Sequence, residues 1–218
     1  SRDANHLDFG LASGSGSTPP APGVPLDRIY LFGNQSPTRN PDPANIRNRA
    51  EIGGGGLYDI GCYPIVAGRW FFEADPKRGI ALIERDPAFR TDRLTSALVD
   101  FGGGRRLDFT VSTQLAPHQR IELSGTKGRI EIPIPFNPGQ GAQTRLLIDD
   151  CSSLEGTGIR IETLPASDQY ELQGTAFSRA VRGEIALPFG IEDAIANMRV
   201  IDALFRSETS GAWEAVGA

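Results

Sequence analysis

The chain has 218 residues, 39% hydrophobic and 22% charged, with a formal net charge of −5. That is the composition of a globular chain, long enough for one large domain or two small ones. No Lys/Arg run suggests nucleic-acid binding, no stretch approaches the ~20 apolar residues of a membrane-spanning helix, and Cys62 and Cys151 have neither zinc nor disulfide-framework spacing.

Taken in order, residues 1–25 read as a tail or linker, because Gly, Ser, Thr and Pro dominate residues 14–23 and leave little to bury. The glycines at 10–16 lack the G-x-G-x-x-G spacing and an apolar strand leading into them, so they do not read as a phosphate loop. No basic flank with an apolar core marks a secretory leader, and the expected home is cytoplasmic. Residues 26–33 hold Ile29, Tyr30, Leu31 and Phe32, a strand candidate. Residues 34–52 are polar and carry Pro37, Pro41 and Pro43, so a long loop is expected. From it Asn45, Arg47 and Arg49 either reach a ligand or are simply solvated.

A helix is expected over 57–74, with Ile65, Trp70, Phe71 and Phe72 as its core face and Asp75-Pro76 as its stop. Strands follow at 80–85 and 94–101, then a turn of Gly102, Gly103 and Gly104. Leu107, Phe109, Val111, Thr113 and Leu115 alternate with the period of a half-buried strand, placing Asp108, Thr110 and Ser112 on the opposite face, and Ile121 and Leu123 continue it. Residues 125–128 form a hairpin turn leading to Ile130, Ile132 and Ile134, and weaker strands lie at 145–148 and 159–162. Short connections point to an antiparallel meander. A helix over 168–182 is expected to bury Phe177, Ala180 and Val181. A last helix from Gly190 presents Ile191, Ile195, Met198, Ile201 and Phe205 at helical spacing, with Met198 read as core. The fold class is α+β, with residues 26–218 forming a predominantly antiparallel open sheet and helices packed on one face.

The stretch at 53–64 carries the chemistry. Four consecutive glycines suit neither a helix nor a strand interior, but they let the backbone approach something closely. Asp59 and Tyr63 follow at a spacing of four, which on a helix puts both on one face. A carboxylate and a phenol side by side form an acid–base pair. Alternatively, Asp59 is an N-cap and Tyr63 a core residue with its hydroxyl tied to a backbone carbonyl. Pro64 cannot donate to Ile60, so the helix is either kinked there or begins a turn later.

Gly53-Gly54-Gly55-Gly56-Leu57-Tyr58-Asp59-Ile60-Gly61-Cys62-Tyr63-Pro64-Ile65 closely resembles the start of the long helix in the C-terminal domain of the glucose–fructose oxidoreductase/inositol dehydrogenase (Gfo/Idh/MocA) family, and Pro43-Ala44-Asn45-Ile46-Arg47-Asn48-Arg49 fits the same family. The resemblance covers about residues 43–216. Asn45 and Arg47, which the preceding loop can extend to a ligand, and Gly54 and Gly55, which allow a close approach, are the expected substrate- or cofactor-binding positions. The resemblance implies that Asp59 and Tyr63 lie beside a nicotinamide and a substrate hydroxyl. It also implies hydride transfer with NAD or NADP, and a sheet face used for homo-oligomer contacts. In the family a Glu-Lys-Pro lysine of an N-terminal Rossmann domain activates the tyrosine. The two lysines here, Lys77 and Lys127, sit in no such motif, and no dinucleotide fingerprint is present. The sequence therefore resembles the second half of such an enzyme, with the Rossmann domain absent. The expectation is a substrate-binding half of an NAD(P)-dependent oxidoreductase acting on a sugar, polyol or diol CH–OH group. Alone it should be inactive and bind no cofactor tightly, and a separate Rossmann subunit would be its partner. The alternative is a non-catalytic binding or oligomerisation module derived from that domain. His6 and His118 are the only histidines, and they suggest neither a metal site nor a triad. A nucleophilic role for Cys151 in Asp149-Asp150-Cys151-Ser152-Ser153 is not expected.

Overall fold

The computed structural model describes residues 26–34 and 42–217. The expected tail at 1–25 lies outside them. Among the described residues nine strands form one sheet: β1 (Leu26–Asn34), β2 (Arg78–Arg85), β3 (Asp92–Gly102), β4 (Arg105–Ser112), β5 (His118–Gly125), β6 (Gly128–Ile132), β7 (Thr144–Asp149), β8 (Ile159–Leu164) and β9 (Glu214–Ala215). The helices are α1 (Cys62–Phe72), α2 (Gln169–Val181) and α3 (Ile191–Ser210). The spatial order is β8-β7-β6-β5-β1-β4-β3-β2-β9.

This order corrects the expected meander. β1 lies between β4 and β5, parallel to β4 from Arg28↔Arg106 to Asn34↔Ser112 and antiparallel to β5. The parallel pair is possible because α1, β2 and β3 supply the long connection it needs. Every other pairing is antiparallel. Ile121 and Leu123 belong to a separate strand, not to a continuation of β4. The alternation also stops earlier than expected: Ser112 is buried, its hydroxyl donating to Arg93 O and accepting from the amides of Gln114 and Leu115, while Leu115 is exposed.

Period two puts Ala81, Ala97, Val99, Leu107, Phe109, Val111, Ile29, Ile121 and Leu123 on one face, where α1 and α3 cover them. Each fully buried aliphatic or aromatic side chain there contributes roughly 1.5–3 kcal/mol. Gly68 lets α1 close on the sheet, since a Cβ there would meet Leu107 Cδ2 at 2.9 Å. Val200, Ile201, Ala203 and Leu204 fill the groove from α3. Further along, Ser207 Oγ accepts the Ala81 amide at 2.9 Å, and Glu208 forks onto Arg85, so α3 also closes the exposed edge of β2.

Two helix expectations fail. α2 buries no residue; Phe177 and Val181 are exposed and Ala180 only half buried. The first half of α3 is likewise open, with Ile191, Ile195 and Met198 exposed, so Met198 is not core. Trp70 and Phe71 on α1 are half-buried, leaving Ile65 and Phe72 as the buried members of its expected core face.

Candidate functional site

The expected loop is locally ordered from residue 42. Asn45 Oδ1 accepts the Arg47 amide at 3.0 Å and caps a single 3-10 turn, Ile46–Asn48; a second follows at Ala50–Ile52. The chain then doubles back. Gly54 donates to Arg49 O at 2.9 Å, and a Cβ on it would lie within 2.7–2.8 Å of the carbonyls of Ile46, Arg47 and Arg49. Gly55, at φ 126°, lies against Asp92, where a Cβ would come within 1.9 Å of the carboxylate Oδ1. The close approach that the glycines permit is therefore to the protein's own carbonyls and to one buried carboxylate.

A π turn, Leu57–Gly61, follows before α1 begins at Cys62. The late start of α1 resolves the conflict posed by Pro64, which sits in its first turn where a free amide is not needed. Leu57, the first residue of the π turn, donates its amide to Asp92 Oδ2 at 2.6 Å. The helix entry is thus capped from β3, 35 residues away in sequence, and not by Asp59.

Asp59 is free to face outward. Arg47 Nε meets Asp59 Oδ2 at 2.7 Å in a half-exposed ion pair. Tyr63 shares this surface at 38% exposure, and its hydroxyl makes no hydrogen bond among the described residues. Its ring tilts against Phe136 with centroids 5.1 Å apart. Burial pushes the phenol above its ordinary range, and Cys62, Asp59 and Tyr170 add to this while Arg47 opposes it. Burial, followed by Asp59, pushes the Cys62 thiol up to about 11, which makes it a poor nucleophile near neutral pH. Asn197 of α3 fixes the start of α1 by donating to Cys62 O at 3.1 Å.

The walls beside Tyr63 come from elements the sequence did not single out. Gln119 of β5 accepts the Phe136 amide at 3.1 Å and so holds the loop after β6. Gln140 of that loop donates to Asp168 Oδ2 at 2.6 Å, and Asp168 Oδ1 caps α2 at the amides of Tyr170 and Glu171. Phe136 and Tyr170 are therefore held near Tyr63 by one polar chain. Asp92, Phe136 and Tyr170 were all missed by sequence reasoning; only the Asp168 cap left a local signal. Arg47, Asp59 and Tyr63 are brought together, Asn45 reaches only the turn that presents Arg47, and Gly54 and Gly55 pack on the chain's own carbonyls and on Asp92. Among the described residues no group of His, Cys, Asp and Glu is arranged to hold a metal ion, and no helix is long and apolar enough to cross a membrane.

Comparison with known proteins agrees with this architecture. Residues 28–131 match the family model described as the GFO/IDH/MocA C-terminal domain. An uncharacterized oxidoreductase of Rhizobium meliloti is 43% identical over 177 residues, which are 81% of this chain and 53% of the relative. D-xylose 1-dehydrogenase (NADP(+)) 2 of Haloferax volcanii is 29% identical over 80% of this chain and 52% of its own length. The 3-ketoreductase KijD10 of Actinomadura kijaniata, solved with NADP and TDP-benzene, superposes with TM-score 0.74 at 25% identity, covering 83% of this chain and 53% of that one. The chain thus spans about half the length of the relatives it matches. Residues 28–131 of this chain therefore form a domain of the GFO/IDH/MocA C-terminal family.

Proposed function

We propose that this chain is the substrate-binding half of an NAD(P)-dependent oxidoreductase acting on a sugar, polyol or diol CH–OH group. The observation that carries the reading is the part-exposed Tyr63, whose hydroxyl makes no hydrogen bond among the described residues and which is set beside the Arg47–Asp59 pair. A phenol held in a core would be tied to a backbone acceptor instead.

The cofactor supplies the hydride acceptor or donor when bound. Its diphosphate does not fit the glycine turn of this chain, because the Asp92 carboxylate already takes the Leu57 amide and puts negative charge where a phosphate would need none. The cofactor would therefore be held by a separate Rossmann half. In this reading Tyr63 exchanges the proton of the substrate hydroxyl, and Asp59 and Arg47 orient the neighbouring hydroxyls. Asn45 sets the turn that presents Arg47, while Gly54 and Gly55 shape the ground beneath it. Phe136 offers an apolar wall. Tyr63 with its raised pKa is a weak base until a cation joins it, and Arg47 alone does not lower it to neutrality. That is why the isolated chain should be inert.

The exposed Phe177, Val181, Ile191, Ile195 and Met198 suit the surface on which the other half would pack. The sheet face away from the helices, laddered by Arg28–Asp108, Arg120–Glu131 and Arg129–Glu122, suits a mixed, polar homo-oligomer contact. A cytoplasmic location fits this chemistry. Calorimetric titration of the chain with NADPH, with and without a cofactor-binding half supplied as a second chain, tests the proposal. Heat of micromolar binding is expected only with both. Micromolar binding by this chain alone would overturn the division of labour, and none in either case would favour a non-catalytic module.

A further inference from the structure

Asp92 opens β3 on the covered side of the sheet, 1% exposed. One oxygen takes the Leu57 amide at 2.6 Å, and Thr95 Oγ1 lies 3.4 Å from the same oxygen. The other oxygen occupies the space above Gly55 that any side chain would fill. Gly56 is also tight but less so, its absent Cβ falling 3.2 Å from Oδ2 and 3.3 Å from Asp92 O. No residue with a Cβ fits at 55 while this carboxylate stays in place. Sequence and geometry are thus matched across 35 residues: a glycine run on one side, a buried acid on the other.

What the bond holds is the entry to the site. Leu57 begins the π turn, and Asp59 lies two residues on. Asp59 donates its amide to Gly55 O at 3.1 Å, so the residue pressed on Asp92 also anchors the backbone of Asp59. Tyr58, between them, tilts against Phe205 of α3 at 5.3 Å. A π turn carries one residue more per turn than an α-helix and so sets the rotation at which the following side chains emerge. We propose that Asp92 is a positioning residue for the Asp59–Tyr63 surface: its carboxylate, received by Gly55, fixes the π turn and with it the presentation of Asp59 and Tyr63. The inference rests on reading that surface as the substrate site.

Cys62, between Asp59 and Tyr63, reports on this geometry without any substrate. Its thiol is partly buried and lies 3.9 Å from Asp59 O. In the full chain carrying Cys151→Ser, maleimide labelling of Cys62 under native conditions reads local opening of the turn. Asp92→Ala should speed labelling about tenfold or more, the scale of a lost hydrogen bond to a charged acceptor. The comparison is Leu123→Ala, a core change away from the turn, at a temperature giving equal global stability. Asp92→Asn, which keeps an acceptor for Leu57, should restore slow labelling. Equal labelling of Asp92→Ala and the stability-matched control would show a merely structural role and overturn the proposal, as would failure of Asp92→Asn to restore protection. If Asp92→Ala does not fold, Asp92→Ser against Asp92→Asn makes the same comparison. Because the readout needs no turnover, it stands or falls separately from the oxidoreductase reading.

Discussion

Tyr63 is part-exposed and its hydroxyl makes no hydrogen bond among the described residues, so Tyr63→Phe should move the melting temperature little, within the ±0.5 kcal/mol usual for surface changes. In a complete enzyme the same change should lower turnover by roughly a hundredfold or more, the scale of a missing acid–base group. Asp59→Ala should cost no more than about 1 kcal/mol, because its pair with Arg47 is half-exposed. Behind them the sensitivity reverses. Gly55→Ala places a Cβ 1.9 Å from Asp92 Oδ1 at φ 126°, and a loss above about 3 kcal/mol is expected from thermal unfolding. Asp92 also sets a pH dependence. Burial pushes its carboxyl up to about 6, against the Leu57 amide, Arg85 and Thr95. Arg85 is itself paired with Glu208, and the Tyr58 phenol lies within the same field. A carboxyl raised on folding stabilises in its protonated form, fully below the unfolded value near 3.9 and not once the pH has risen through about 6. Relative to Asp92→Asn, the wild-type chain should therefore lose on the order of 2–3 kcal/mol between pH 4 and 7 in denaturant titrations. A difference that does not change with pH would contradict the burial of an ionisable Asp92.

At the scale of elements, α3 divides in two. Its second half is core, and Ile201→Ala should cost about 2–5 kcal/mol. Its first half and α2 carry exposed apolar side chains, and Phe177→Ser should leave unfolding of this chain nearly unchanged while weakening association with a cofactor-binding half. Unfolding and pull-down measurements on the two variants separate these roles. The contrast also shows what the residues alone reveal. The alternation of Leu107, Phe109 and Val111, the Gly102–Gly104 turn, the 125–128 hairpin and the helical stripes are local patterns and were legible. A stripe says which side of a helix is apolar, but not what covers it, which is why Met198 and Phe177 were misread as core. The insertion of β1 beside β4 and the cap from Asp92 to Leu57 depend on residues distant in sequence, and no local periodicity encodes them. Asp59 and Tyr63 were visible through their spacing behind the glycines, whereas the reason for the glycines was not.

For the whole molecule, one open sheet offers three surfaces with different chemistry. The helix-covered face carries the buried apolar core and holds the fold. The opposite face is an array of paired charges that should lead to an oligomer by light scattering, one whose association weakens with salt as surface pairs are screened. The rim carrying Tyr63, Asp59 and Arg47 lies near the open apolar start of α2, marked by Tyr170, as a substrate half facing a partner would require. The most direct test is complementation: a cofactor-binding half supplied with this chain, and NADP-dependent oxidation of sugars followed by absorbance. Turnover is expected only with both halves, and should fall by roughly a hundredfold or more with Tyr63→Phe at unchanged melting temperature. Equal turnover by wild type and Tyr63→Phe in that assembly would contradict the assignment of Tyr63 as the group that moves the substrate proton.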